Sequence, residues 1–123
     1  MGRIPKEIGR CKLLYGIKLC HNMLYNEIPE EIYSLTDLIS LDLAYCGLFS
    51  KLSDQVGNLK KLKHLCLNGN TIAGRIPESI CELTELEWLR LKDCSMIGKI
   101  PAGLRQLPKL TLLHLSGNIF ENE

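Results

Sequence analysis

A repeat of 24 residues is the feature that most constrains how this chain of 123 residues can fold. The dipeptide Ile-Pro recurs at this interval or at twice this interval, with its isoleucine at Ile4, Ile28, Ile76 and Ile100. Three apolar columns share the period: Leu14, Leu38, Leu62, Leu86 and Leu110; Ile17, Leu41, Leu65, Leu89 and Leu113; Leu19, Leu43, Leu67, Leu91 and Leu115. Self-similarity on this scale marks one supersecondary unit stacked on copies of itself, so a solenoid is predicted.

Further columns give each turn its internal structure. A polar column follows the apolar ones and contains Asn22, Cys46, Asn70, Cys94 and Asn118, which we expect to point inward and satisfy backbone amides, with a thiol as a weak substitute for the amide. A second column contains Gly2, Asn26, Ser50, Gly74, Gly98 and Asn122 and predicts a recurring tight turn at positive φ. Another apolar column contains Leu24, Leu48, Ile72, Ile97 and Phe120. Ile97 is displaced by one residue, because Met96 occupies the position that the 24-residue interval specifies.

These residues resemble a leucine-rich repeat, L-x-x-L-x-L-x-x-N/C-x-L, continued by G-x-I-P as in the 24-residue plant-type subclass. The resemblance covers residues 2–122 and implies an α/β solenoid, a horseshoe segment with a parallel concave β-sheet and short 3-10, helical or irregular convex segments. Residues 1–123 are predicted to form a single domain of about five turns without recognisable capping modules. Members of the family share a scaffold and differ in their ligands, so the resemblance leaves the ligand open.

Composition excludes several classes of partner. A formal net charge of +1 gives no electrostatic reason to expect binding to nucleic acid or to an anionic membrane. The longest apolar run is far too short to span a bilayer. The N-terminus, MGRIPKEIGR, lacks an apolar signal region.

Six cysteines raise the alternatives of disulfides, a metal site or free thiols. Cys11 falls in a core column of the first turn, and Cys46 and Cys94 lie two turns apart, which is roughly 10 Å and too far for a disulfide. No C-x-x-C motif occurs. Free thiols are therefore predicted and favour an intracellular compartment, with an extracellular location as the alternative if the chain is a fragment of a secreted or receptor protein.

The outward residues of the strands define the predicted partner-binding site on the concave face. Its candidate residues are His64, Cys66, Asn68, Trp88, Arg90, Lys92, Leu112 and His114. Nothing about folding demands a tryptophan at Trp88, and Trp and Arg are the residues most enriched at interface hot spots. The alternative is that Trp88 merely covers its neighbours and that the charges around it are solvated.

The sequence predicts a non-catalytic scaffold that recognises a protein or peptide, without a cofactor, a catalytic group or a metal site. His64 and Cys66 share a strand face, but His114 is two turns away and a third metal ligand or catalytic partner is missing. The alternatives are a self-associating solenoid, joined end to end or as a dimer, and a fragment of a receptor-type ectodomain. Uncapped ends predict association or fraying, because terminal apolar residues would face water: Leu14, Ile17, Leu19, Leu110, Leu113, Leu115 and Phe120.

Overall fold

A parallel sheet is the main element of the computed structural model, which describes residues 2–122. The strands are β1 (Gly16–Lys18), β2 (Ser40–Asp42), β3 (Phe49–Lys51), β4 (His64–Cys66), β5 (Thr71–Ala73), β6 (Trp88–Arg90), β7 (Ile97–Gly98), β8 (Leu112–His114) and β9 (Ile119–Phe120). Five of them form one sheet in the order β1-β2-β4-β6-β8, and each strand pairs with the next in a register of 24 residues, as in Ile17↔Leu41. The predicted solenoid and its concave sheet are confirmed.

Short 3-10 helices form the convex side, as the sequence predicts. They are η1 (Lys6–Arg10), η2 (Glu30–Ser34), η3 (Asp54–Asn58), η4 (Glu78–Glu82) and η5 (Leu104–Gln106). In η1, η2 and η4 the proline of an Ile-Pro pair directly precedes the helix, and its ring fixes φ of this extended residue. In η3, Ser53 replaces proline and its hydroxyl accepts a hydrogen bond from the Gln55 amide.

The apolar columns form one continuous aliphatic core, and its burial corrects three predictions. Of the seven apolar residues of the end turns that were predicted to face water, Ile17 and Leu115 are buried. The other five are half-buried and pack against the core. Cys11 is exposed rather than in the core, because the turn to which it belongs is packed against a neighbour on one side only. Met96 is fully buried and Ile97 is half-exposed, so the 24-residue count is not displaced at that turn.

The recurring left-handed turn lies one residue before the polar column, not at the predicted position. Its members have φ between 53° and 76°: His21, Tyr45, Gly69, Asp93 and Gly117. Gly74 and Gly98 of the predicted column do have positive φ, whereas Asn26 and Ser50 do not. Ser50 and Asn122 serve a different purpose there, since their side chains accept hydrogen bonds from the amides of Ile28 and Ile100.

Asn70 and Asn118 point inward and satisfy backbone groups, as predicted, whereas Asn22 of the same column is exposed. The Asn70 Oδ1 accepts hydrogen bonds from the backbone amides of Cys46 and Leu48 in the preceding turn, at 3.1 and 3.0 Å. Its Nδ2 donates to the carbonyls of Leu43 and Leu67, at 2.8 and 2.9 Å. Asn118 makes the equivalent bonds one pair of turns later, so each of these amides satisfies four main-chain groups.

Cysteine joins the remaining turns with fewer bonds. The Cys46 thiol donates to the carbonyl of Leu19 at 2.9 Å, and the Cys94 thiol donates to that of Leu67 at 3.2 Å. A thiol cannot replace the two amide donors and the strong acceptor of asparagine. The backbone amide of Ile72 therefore donates to the main-chain carbonyl of Cys94 at 2.9 Å.

The alternation of asparagine and cysteine extends to both flanks of the solenoid. Where asparagine joins two turns, short parallel strands pair beside the concave sheet, namely β3 with β5 and β7 with β9. Where cysteine joins them, the 3-10 helices approach closely over a glycine. A Cβ on Gly9 would come within 2.8 Å of Glu31, and one on Gly57 within 2.9 Å of Ser79.

Replacing Asn70 by alanine should destabilise the protein by about 3 kcal/mol or more, because two buried amides and two buried carbonyls lose their partner. Asn22→Ala is the matched control: Asn22 is exposed, its amide donates only to the carbonyls of Leu19 and Cys20, and its loss should cost less than about 1 kcal/mol. Urea unfolding of both variants measures the difference. Equal losses would contradict the role assigned to the inward amide.

Cys94 should resist alkylation in the native protein, because burial raises the pKa of its thiol to about 11. At pH 8 about one Cys94 in a thousand is then ionised, and only the thiolate reacts. We expect iodoacetamide to label the exposed Cys11 first and Cys94 only after unfolding, as followed by peptide mass spectrometry. Labelling of native Cys94 as fast as Cys11 would contradict this protection.

Candidate partner-binding site on the concave face

Strand geometry places the candidate residues in the predicted outward phase. On β4, β6 and β8 the register pairs His64 with Trp88 and Trp88 with Leu112, while Cys66 pairs with Arg90 and Arg90 with His114. Between them Leu65 and Leu89 point into the core and are fully buried. Successive strand residues point to opposite faces, so burial of the leucines forces the other two columns outward.

Trp88 is the centre of this surface. Its ring stacks on the imidazole of His64, with centroids 4.0 Å apart and planes inclined by 30°. The Cζ of Arg90 lies 5.5 Å from the indole centroid, within cation–π range. Trp88 therefore covers its neighbours, as the alternative interpretation of the sequence predicts. Yet 42% of the residue remains exposed.

Glu87, which precedes β6, belongs to the cluster although the sequence did not single it out as a site residue. Its Oε1 lies 3.8 Å from Nε2 of His64, and both side chains are about one-third exposed. The neighbouring glutamates pair with lysines of adjacent turns instead, Glu82 with Lys60 and Glu85 with Lys109. Glu87 differs because it reaches the concave histidine.

A shallow groove of about 260 Å³ lies beside Trp88. Four predicted residues line it, namely His64, Cys66, Trp88 and Arg90. The groove continues towards the first turns along residues that the sequence did not select: Lys18, Ser40 and Asp42. Membership of the same two strand columns was the signal that could have identified them.

The other four candidate residues lie outside the groove. Asn68 is engaged in the fold, because its Oδ1 accepts a hydrogen bond from the backbone amide of Lys92 at 2.8 Å. The side chains of Lys92 and His114 are exposed, and Leu112 is half-buried beside Trp88 in the register. Leu112 and His114 lie on β8, and Asn68 and Lys92 follow β4 and β6.

The groove carries little reactive chemistry. Burial raises the pKa of the Cys66 thiol, and the Asp42 carboxylate raises it further, whereas a hydrogen bond to the Asn68 backbone and the charge of Arg90 act in the opposite direction. Cys66 is thus held as a neutral thiol, which is a poor nucleophile. Within residues 2–122 no group of three His, Cys, Asp or Glu side chains is arranged to hold a metal ion.

Comparison with known proteins agrees with the repeat and the fold. A family model described as Leucine Rich Repeat matches residues 61–83. No curated protein matches the chain significantly in sequence. Among residues 2–122, no helix has the length and apolar character needed to cross a bilayer.

Solved structures of plant receptors resemble the chain over nearly its whole length. The ectodomain of the Arabidopsis thaliana receptor kinase GASSHO1/SCHENGEN3, in complex with CASPARIAN STRIP INTEGRITY FACTOR 2, is 31% identical over 97% of this chain, with a TM-score of 0.93. The ectodomain of the Arabidopsis receptor kinase HAESA, in complex with an IDA peptide hormone, is 34% identical over 97%, also at 0.93. The ectodomain of the Arabidopsis thaliana receptor kinase SOBIR1 is 28% identical over 99%, at 0.90.

The chain spans only 14% and 20% of the first two of these chains, and 67% of the third. Together the 24-residue period, the parallel sheet and these matches define its class: it is a leucine-rich repeat protein of the plant type. All three neighbours are ectodomains, so they do not support the intracellular location that free thiols predict.

Proposed function

We propose that this chain is a non-catalytic recognition module that binds a peptide or protein segment on its concave face, with Trp88 as the anchor. The observation that carries the proposal is the half-exposed indole, which stands on a strand between buried leucines and is held by His64 and Arg90. An aromatic side chain that is already ordered loses little conformational entropy when a partner covers it.

The groove beside Trp88 suits an extended segment. It is lined by the ring of Trp88 and by Leu41 and Leu65, whose side chains are buried in the core. Polar groups of Ser40 and Asp42 and the cations of Lys18 and Arg90 complete the lining. Apolar surface contributes affinity in such a site, whereas a few placed polar groups fix the orientation of the ligand. The two neighbours whose structures contain a ligand are consistent with such a role.

A second proposal concerns the protein as a whole: the chain is a segment of a receptor-type ectodomain and therefore extracellular. It is supported by the neighbours, which are ectodomains, and by the small share of the first two that the chain covers. The free thiols of Cys46 and Cys94 do not oppose it, since both are enclosed in the core and protected from oxidants by burial.

Binding should depend on Trp88 and Arg90. Peptides selected from a phage-displayed random library on the native protein should lose about 1–4 kcal/mol of binding free energy to Trp88→Ala and to Arg90→Ala, measured by titration calorimetry. Arg105→Ala is the matched control, because Arg105 is an exposed arginine on the convex side and its loss should leave binding unchanged. Selected peptides that bind the double variant Trp88→Ala/Arg90→Ala as tightly as the native protein would exclude the concave site.

The natural protein should be larger than this chain if it is a receptor segment. An antibody raised against residues 2–122 should then detect a species well above 13.9 kDa in the source tissue, in the membrane or secreted fraction. A single soluble intracellular species of 13.9 kDa would overturn this second proposal and leave the binding proposal untouched.

A further inference from the structure

We propose that His64 is a positioning residue for Trp88, and that its hold on the indole tightens when the imidazole takes up a proton. The inference deepens the proposed function and rests on it for its biological consequence, which is a recognition surface that responds to pH. Its structural basis is the contact of three groups from adjacent turns: the His64 ring, the Trp88 ring and the Glu87 carboxylate.

The geometry gives a proton on His64 two favourable partners. The imidazole is already stacked on the indole at 4.0 Å, so a positive ring would add cation–π attraction to the stacking. Its Nε2 is 3.8 Å from Oε1 of Glu87, and protonation of the imidazole would turn this contact into an ion pair. Imidazole is the one side chain whose ordinary titration falls between pH 5 and 8.

Other charged and titratable groups surround the ring and were weighed in the same way. They are Lys63 and Cys66 on its own segment, Asp42 on β2, and Arg90 on β6. A positive imidazole would be repelled by the Arg90 guanidinium and attracted by the carboxylates of Glu87 and Asp42. Of these two carboxylates, that of Glu87 lies within 4 Å of Nε2 of His64, at 3.8 Å.

The composition of the chain makes the proposal directly measurable. Trp88 is the only tryptophan and His64 is one of three histidines, so the indole fluorescence of the free protein reports on a single site. Protonated imidazole in contact with indole quenches its emission. We expect the fluorescence to fall between pH 8 and 5 in a single-proton transition, with no ligand present.

His64→Phe should abolish the transition while keeping an aromatic ring against Trp88, because phenylalanine stacks but does not titrate. His64→Gln is a second variant that removes the proton site. His21→Gln and His114→Gln are controls and should retain the transition. A flat profile in the native protein, a transition that survives in both His64 variants, or one that is lost in His114→Gln would each overturn the assignment.

The stronger contact between protonated His64 and the Trp88 indole can be measured separately, by acrylamide quenching of the Trp88 fluorescence. Acrylamide should reach Trp88 less easily at pH 5 than at pH 8 in the native protein. Glu87→Gln should reduce this difference, because the ion pair cannot form while the cation–π contact remains. Equal accessibility at the two pH values would overturn the positioning role. All of these measurements use the free protein, so they stand even if no selected peptide binds the concave face.

Discussion

The inward amides of Asn70 and Asn118 are the interactions on which the remainder of the fold depends. Each supplies two acceptor and two donor contacts to main-chain groups that leave the concave sheet and have no strand partner. Buried peptide groups without partners are costly, and at these two junctions the asparagine side chain supplies the partners that the sheet no longer provides. The leucine columns provide the driving force for stacking, and the amides allow the turns to follow one another.

Cysteine at the same position changes how two turns meet. The thiols of Cys46 and Cys94 each donate to one carbonyl of the preceding turn and leave amides that must find main-chain acceptors. On the flank beside the concave sheet, strands pair only at the asparagine junctions, between β3 and β5 and between β7 and β9, among the described residues. On the convex flank, Gly9 and Gly57 bring the helices together at the cysteine junctions. Each junction is therefore closed more tightly on one flank than on the other.

Periodicity predicted the parts of the structure that depend on stacking. Register, sheet, convex helices and the outward phase of Trp88 follow from columns in which a leucine recurs at every turn. The position of the left-handed turn could not be predicted from residue type, because its five residues include histidine, tyrosine and aspartate as well as glycine. Met96 lies 24 residues after Ile72, so the period itself identifies it as the buried residue, and the prediction of Ile97 departed from the count.

The site was predictable to the same extent. The columns gave the residues that point outward, but the extent of the groove depends on how side chains cross between strands. Glu87 lies before its strand and reaches His64 across a turn boundary, which no single-residue pattern encodes. The sequence does not show that Asn68 is engaged in the fold, where its side chain accepts a hydrogen bond from the Lys92 amide in the next turn.

Because asparagine and cysteine junctions alternate, the smallest translation that maps this solenoid onto itself is two turns, or 48 residues, rather than one. Removing or inserting a single turn would place two junctions of the same kind next to each other. The strand pairs on one flank and the glycine contacts on the other would then no longer alternate along the solenoid. Changes in length that preserve the pattern come in steps of two turns. The structural repeat is therefore a pair of turns, and the 24-residue period of the sequence is half of it.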